Sequence, residues 1–543
     1  MLALNRTTGN MLGLSNSVWL LLVSAALYVS IRKRKRISIA HIRGPVPESF
    51  LLGNLRQLLA GTLPNDALHI LQTYGSLARV RAPLGEDRLW TADPAAIQHI
   101  LSKARDVWIK PHEARWALIV ASGGGVTGME GEEHRRQRRA VARAFGAGEV
   151  KALESGLKER ADVLVRHIME KDIGHDRRDG VEFDVTELLS RGMLDAVGHA
   201  LSGYEFHALE GNQDELAESL HGFMAKGFGR PDSPKLFMHG MMAHIPMSLL
   251  DLLRYLPDPG LAFLRRHVRL SNTLSRRLIA ERTEGAKRGL ALGTDALSLI
   301  VKANIEETGR WRLRDEELVP QFATLLAAGH ETTLTTISWI LYELALHEDV
   351  QRDLRAEIEL DPNADLDSLT LLNAVIKETM RFDTVVPYLS RVATQDDVIP
   401  LSKPIRTSEG EEISEVLVPK DTRVFVSSIG YSLNENVWGT DANVWRPARW
   451  MDETIARTQM ENIGPYENLM SFGAGHRACV GWRYAITELQ IFLSALIRAL
   501  EFRATARTRA VRRENCLVML PIVEGEGNEN RMPLQYLESC DHV

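Results

Sequence analysis

The most chemically loaded stretch of this chain is a single cysteine set among glycines and basic residues: Phe472 to Gly481 reads FGAGHRACVG. Directly after it, Ala485, Leu489, Phe492, Leu493, Leu496 and Leu500 recur at spacings of three and four, which predicts a helix from about Trp482 to Leu500 with one buried face. Cys479 then stands beside a helix N-terminus, where unpaired amide N–H groups and the helix dipole favour thiolate over thiol. Gly473, Gly475 and Gly481 are expected to let backbone approach without a Cβ in the way. A lone thiolate cannot complete a zinc site, which takes about four ligands. A haem iron needs one axial ligand from the protein, and a thiolate there favours O–O cleavage.

The stretch resembles the haem-binding signature of the cytochrome P-450 superfamily: Phe, two variable residues, Gly, one variable, Arg, one variable, Cys, one variable, Gly. Three distant stretches extend the resemblance. Ala328-Gly329-His330-Glu331-Thr332-Thr333 sits in the middle of an apolar helix predicted from Leu318 to Leu346, where a glycine and neighbouring threonines predict a local interruption. It matches the family's oxygen-activating motif, which implies Thr332 and Glu331 as catalytic residues in proton delivery, with Thr333 pointing elsewhere. Glu378 and Arg381, three apart on a predicted helix from Leu371 to Phe382, can pair on one face, and Leu371, Ala374, Val375 and Phe382 flank them with apolar side chains. With Arg449 in Pro447-Ala448-Arg449-Trp450 they match the Glu, Arg, Arg triad that braces the cysteine loop in the family.

The fourth stretch, Gly131 to Phe145, is strongly basic, and His134, Arg138, Val141 and Phe145 share one helical face. Arg135, Arg136, Arg139 and Arg143 fall on other faces, and Arg135, Arg136 and Arg139 are expected to dock an acidic reductase surface. By resemblance this is the helix beneath the haem, with Arg138 binding a propionate and His134, where tryptophan is usual, a further donor. Arg391 and Arg477 are implied as the second and third propionate partners. Thr384 and Val385 replace the usual proline pair after Arg381, while Pro387 stays in register.

Composition sets the bounds on these readings. With 543 residues, 45% of them hydrophobic, and a net charge of −6, the chain is globular in character and a nucleic-acid partner is not expected. Cys479, Cys516 and Cys540 are too few for a disulfide framework, so the body suits a reducing compartment.

Met11 to Ile31 is almost wholly apolar, and roughly twenty helical residues cross a bilayer core of about 30 Å. Arg32 to Arg36 follow at once, which predicts an uncleaved anchor with the body on the cytoplasmic side. A cleaved signal would carry its charges ahead of the apolar run. Asn5-Arg6-Thr7 is a sequon on the luminal side, too close to the membrane for use to be expected. The expected organisation is a luminal tail (1–10), a single transmembrane helix (11–31), a basic and proline hinge (32–47) and one catalytic domain (48–543). Leu77 to Arg81 and Arg88 to Thr91 predict a hairpin, and Trp108 to about Gly128 a long mobile loop. Leu236 to Leu264, rich in Met, Leu and Phe and broken by prolines, reads either as core helix or as a membrane-dipping cover over the substrate entrance.

The resemblance implies a mainly α fold with a minor β part, the cytochrome P-450 fold, anchored in the endoplasmic reticulum membrane. It implies haem b as cofactor and an apolar small-molecule substrate, terpenoid-like in the manner of fungal secondary metabolism. No flavin or nicotinamide domain follows the cysteine loop, so electrons are expected from NADPH through a separate flavoprotein reductase. Two other classes fit the same motifs: an O2-independent haem-thiolate isomerase or dehydratase, and a non-catalytic haem-binding protein.

Overall fold

The computed structural model describes residues 38–61, 63–170, 181–212, 214–451, 463–527 and 529–538. The expected luminal tail, transmembrane helix and basic block, together with Asn5 and Cys540, lie outside these residues. Among the described residues no helix is long and apolar enough to cross a membrane.

The fold is mainly helical with a minor β part, and it is built around one helix, Asp315–Leu346. At 1.5 Å per residue its 32 residues run about 48 Å. A helix apolar on all sides belongs inside a large core. From Glu317 to Ala345 every residue is buried except Ala328, Gly329 and Thr332. The start is fixed by Glu317, whose carboxylate accepts the Arg314 N–H at 3.0 Å, satisfying a donor that a helix terminus would otherwise leave open. The central helix packs against the helices Val185–Ser202 and Pro259–Lys287, and Trp482–Ala499 packs against Ala147–Ile168.

The predicted interruption at Gly329 is absent: the central helix is continuous. Both threonine hydroxyls donate to carbonyls one turn back, Thr332 to Ala328 at 2.6 Å and Thr333 to Gly329 at 2.8 Å. Those bonds absorb the polar groups without breaking the ladder.

The predicted hairpin is an antiparallel pair, Leu77–Ala82 with Glu86–Thr91. It continues through Arg423–Ser427 and Tyr388–Ala393 to Trp108–Ile109 in a five-stranded sheet. Arg391 therefore stands on an interior strand, opposite Val424. The hairpin Val511–Cys516 with Val518–Val523 forms a separate two-stranded sheet.

The stretch predicted as a long loop after Trp108 contains a helix, His112–Ser122. Its apolar positions Trp116 and Val120 are four apart and buried. Pro111 as N-cap and Gly123 as left-handed C-cap, with φ 77°, are the punctuation that made the segment read as a loop. The residues after it make specific contacts with the central helix. A Cβ at Gly125 would lie 1.9 Å from Thr324 Oγ1. The buried Gln321 amide also holds the segment, accepting the Val126 N–H at 3.2 Å while donating to Gln137 Oε1 at 2.9 Å. Between Ser233 and Lys287 the chain is three helices, Ser233–Met242, Met247–Leu253 and Pro259–Lys287. Pro234 and Pro259 occupy the first turn of their helices and Pro246 is an N-cap, positions that tolerate proline.

Candidate active site

The cysteine loop is held by its own backbone: the Cys479 N–H donates to Phe472 O at 2.7 Å and the Ala478 N–H to Gly475 O at 3.1 Å. Gly473 and Gly475 adopt φ near 64° and 63°, a region side chains avoid. A Cβ at Gly475 would also meet Leu101 O at 2.1 Å. Gly481 is different, for its φ is −93° and an added Cβ would sit in ordinary contact with Phe145; its part is to start the helix Trp482–Ala499 as N-cap.

The Cys479 side chain keeps exposed surface, yet it lies deep enough for burial to raise its pKa, against the Gly481 N–H and the Arg138 charge, which lower it. The sulfur is thus surrounded by protein atoms while part of the side chain keeps free surface. Ala328, Gly329 and Thr332 are the other accessible patch in an otherwise buried setting. Apolar side chains lie beside it: Trp116, Val120, Ala327, Val385 and Val518 belong to one cluster.

Cations converge on this interior. Lys110 is pulled down to about 7, by burial first and then by the guanidiniums of Arg391 and Arg477. Burial, followed by Arg477, takes Arg391 to about 10. His134 falls to about 3 and His476 to about 4, in each case from burial first and Arg477 next, so both rings are neutral at physiological pH. The two rings meet edge to face at 5.9 Å. Arg138, on the predicted face with His134, Val141 and Phe145, donates to Ala478 O at 2.5 Å. Sequence reasoning missed Lys110; its only signal was a lysine in a segment read as loop.

The expected docking face of the basic helix needs correction at Arg136. That side chain turns inward and pairs with Glu317 at the start of the central helix. Arg139 and Arg143 share Glu307 at 3.5 and 3.0 Å, with Arg139 also over the Trp311 ring. Arg135 reaches only Glu132, at 3.1 Å, and stays 60% exposed.

The buried triad is assembled. Arg381 donates to both oxygens of Glu378, at 2.7 and 3.0 Å, and Arg449 Nε donates to the same carboxylate at 3.3 Å. The Trp450 indole N–H donates to it at 2.9 Å. From there, Ser471 reaches Met380 O at 2.7 Å and Tyr431 reaches Asn468 O at 3.1 Å, which ties this block to the approach to the cysteine.

Glu331 and Thr332 do not share a direction. Thr332 keeps accessible surface, while Glu331 is 1% exposed and accepts the Met224 N–H at 3.0 Å. Its second oxygen has no hydrogen-bond partner, and burial lifts its pKa to about 8. Thr333 turns toward Glu488, a buried carboxyl also raised to about 8 by burial, which accepts the Tyr484 hydroxyl at 3.2 Å.

A family model for cytochrome P450 matches residues 44–525. The chain is 32% identical over 516 residues to cytochrome P450 monooxygenase 128 of Postia placenta, covering 90% of this chain and 91% of that one. It is 30% identical to cytochrome P450 monooxygenase 205 of the same organism, with 91% and 92% covered. Against the ganoderic acid synthetase of Ganoderma lucidum it is 30% identical over 487 residues, 85% and 87% covered. The chain belongs to the cytochrome P450 family and is a monooxygenase whose cofactor is a thiolate-ligated haem. The family draws electrons from a redox partner and acts on small molecules.

The residues present fit that cofactor. Lys110, Arg391 and Arg477 are desolvated cations with a single carboxylate, Glu130, among the charges acting on all three. Burying charge without partners is costly, and the two carboxylates of haem b are the partners such a cluster lacks.

Proposed function

We propose that this protein oxidises an apolar, terpenoid-like small molecule of fungal secondary metabolism, using O2 and electrons from a separate NADPH-dependent flavoprotein reductase. The observation that carries it is a cysteine that is enclosed by protein yet keeps accessible surface, together with an accessible Thr332 on the central helix next to the apolar cluster that holds Ala327. The substrate class is also supported by the likeness to the ganoderic acid synthetase. Haem iron with a thiolate ligand activates O2 for insertion of one oxygen atom into a C–H bond. Cys479 supplies that ligand in this reading. Arg138, Arg391, Arg477, Lys110 and the neutral His134 hold the propionates.

The chain's own task is to deliver protons without admitting bulk water. Thr332 Oγ1, bonded in the resting structure to Ala328 O, is the hydroxyl that hands on the proton, and Glu331, protonated below about pH 8 and turned at rest toward the Met224 N–H, is the acid that reloads it through water. Thr332→Ala is expected to keep haem and NADPH consumption but to release hydrogen peroxide in place of product. Glu331→Gln slows oxygen consumption, and the parent's coupling declines as pH rises through about 8, because the acid empties there. Product and peroxide per NADPH, measured for variants at 331, 332 and 333, decide it. A Thr332→Ala enzyme as well coupled as the parent removes the threonine from the mechanism.

The reading places the body on the cytoplasmic face of the endoplasmic reticulum membrane, behind an anchor at 11–31. Its support is a set of exposed apolar side chains on the N-terminal segment and on the cover, joined beneath the surface by the buried Pro83 and Gly240. Phe50 (65% exposed) approaches Gly85, and Pro83 abuts Gly240 of the cover helices. Leu252 (63%) and Tyr255 (73%) are exposed in the same cover. This favours the membrane-dipping reading of Leu236 to Leu264. Arg135 and Arg139 remain the outward cations for the reductase. Neutralising both slows reduction several-fold at low salt and flattens its salt dependence; stopped-flow reduction that is unchanged returns them to plain surface.

A further inference from the structure

Three successive carbonyls run between the helix His112–Ser122 and the basic helix Gly131–Ala142, and each accepts a hydrogen bond from a cation around the haem cradle. Lys110 Nζ donates to Thr127 O at 2.7 Å, Arg115 Nε to Gly128 O at 3.1 Å and Arg477 Nη1 to Met129 O at 2.7 Å. The next residue is Glu130. It is the N-cap of the basic helix, but its side chain makes no capping bond. One oxygen instead accepts the Lys110 backbone N–H at 3.1 Å, and the other pairs with Arg477. A side chain at an N-cap ordinarily satisfies a helix donor, so this carboxylate is committed to a different task.

That task is legible in the charges. The groups acting on Lys110 are Arg391, Arg477 and Arg115, all repelling, with Glu130 alone attracting. Glu130 is again the attracting group for Arg391 and for His476. Arg115 and Arg138 add to the repulsion at Arg477, while Arg138 has an attracting charge of its own in Cys479. Three desolvated cations, with Arg115 as a further positive charge beside them, therefore face one carboxylate from the chain, and haem b brings two more. We infer that Glu130 is a positioning residue of the cofactor cradle: it is the third carboxylate, supplied by the protein, that neutralises Lys110, Arg391 and Arg477 once the propionates are in place. This rests on the haem-cradle reading given above.

Removing that charge would leave the cradle that holds the cofactor with one more positive charge, which would favour the ferrous state. In the haem-loaded enzyme, Glu130→Gln is expected to raise the midpoint potential and to retain the Soret shift of the reduced carbonyl complex. Glu130→Asp, which keeps the charge, should hold the potential near the parent's. Arg477→Gln should lower the potential and speed haem transfer to apomyoglobin several-fold. Adding Glu130→Gln to it should bring the potential back toward the parent, since the pair removes one charge of each sign. A role confined to folding predicts no such return. Equal shifts for Glu130→Gln and Glu130→Asp, an unchanged potential in Glu130→Gln, or no return in the double variant would each overturn the assignment. If the parent itself lacks the shifted Soret band, the cradle reading fails instead.

Discussion

Replacing Cys479 with serine is expected to abolish the red-shifted Soret band of the reduced carbonyl complex completely, whereas Cys516→Ser leaves it intact. The contrast follows from where the two thiols sit. Burial raises the Cys479 thiol as well, but the Gly481 N–H and the Arg138 charge oppose it, and the side chain keeps surface on which a ligand can reach the sulfur. Cys516 is 2% exposed, and burial, followed by the charges of Glu514 and Glu331, pushes its thiol up to about 12. It stays protonated at neutral pH and cannot compete for iron. A serine hydroxyl at 479 has no accessible anionic form, so even a retained haem would lack the thiolate signature. The carbon-monoxide difference spectrum of the two variants checks this directly, and a normal band in Cys479→Ser ends the assignment.

Glu378→Gln should be the most damaging substitution away from the cysteine. Both Glu378 and Arg381 are fully buried, and the carboxylate also receives Arg449, Trp450 and the Arg446 backbone N–H. Breaking a buried pair by removing one charge costs about 3–5 kcal/mol, a large share of a total stability of about 5–15 kcal/mol. Lys377→Ala, one residue away, breaks a partly exposed pair with Glu467 and the ammonium's contacts with the Trp450 and Tyr466 rings and should cost about 1–2 kcal/mol. Thermal melting followed through the haem band separates them. Glu378→Gln melting with the parent would mean that the triad does not hold the cysteine loop.

What the sequence made legible follows from how local each signal is. The cysteine loop, the basic helix and the Glu378–Arg381 spacing are short patterns whose partners lie within a turn or two, and their geometry appears as read. The errors arose where distant residues decide. Nothing near Arg136 says that Glu317, far along the chain, will claim it. A glycine with two threonines suggested a break in the central helix, but the back-bonded hydroxyls keep it whole. Pro111 and Gly123 hid a helix because both are turn residues used here as its caps. Lys110 and Glu130 acquire meaning only when the fold gathers the other cations around them.

The Gln321 amide ties the wall of the substrate space to the scaffold of the cofactor. One side chain grips Val126, at the end of the segment over the interior, and Gln137, on the helix that carries Arg138. For anyone redesigning substrate scope, mutations that widen the 123–128 segment therefore carry a hidden liability in cofactor retention. The hairpin Val511–Val523 offers the safer route. It places Val518 in the same apolar cluster, and its Met519 N–H donates to Val385 O at 2.8 Å. Directed libraries concentrated on 517–520 should thus yield more folded, haem-loaded variants per clone than libraries concentrated on 123–128.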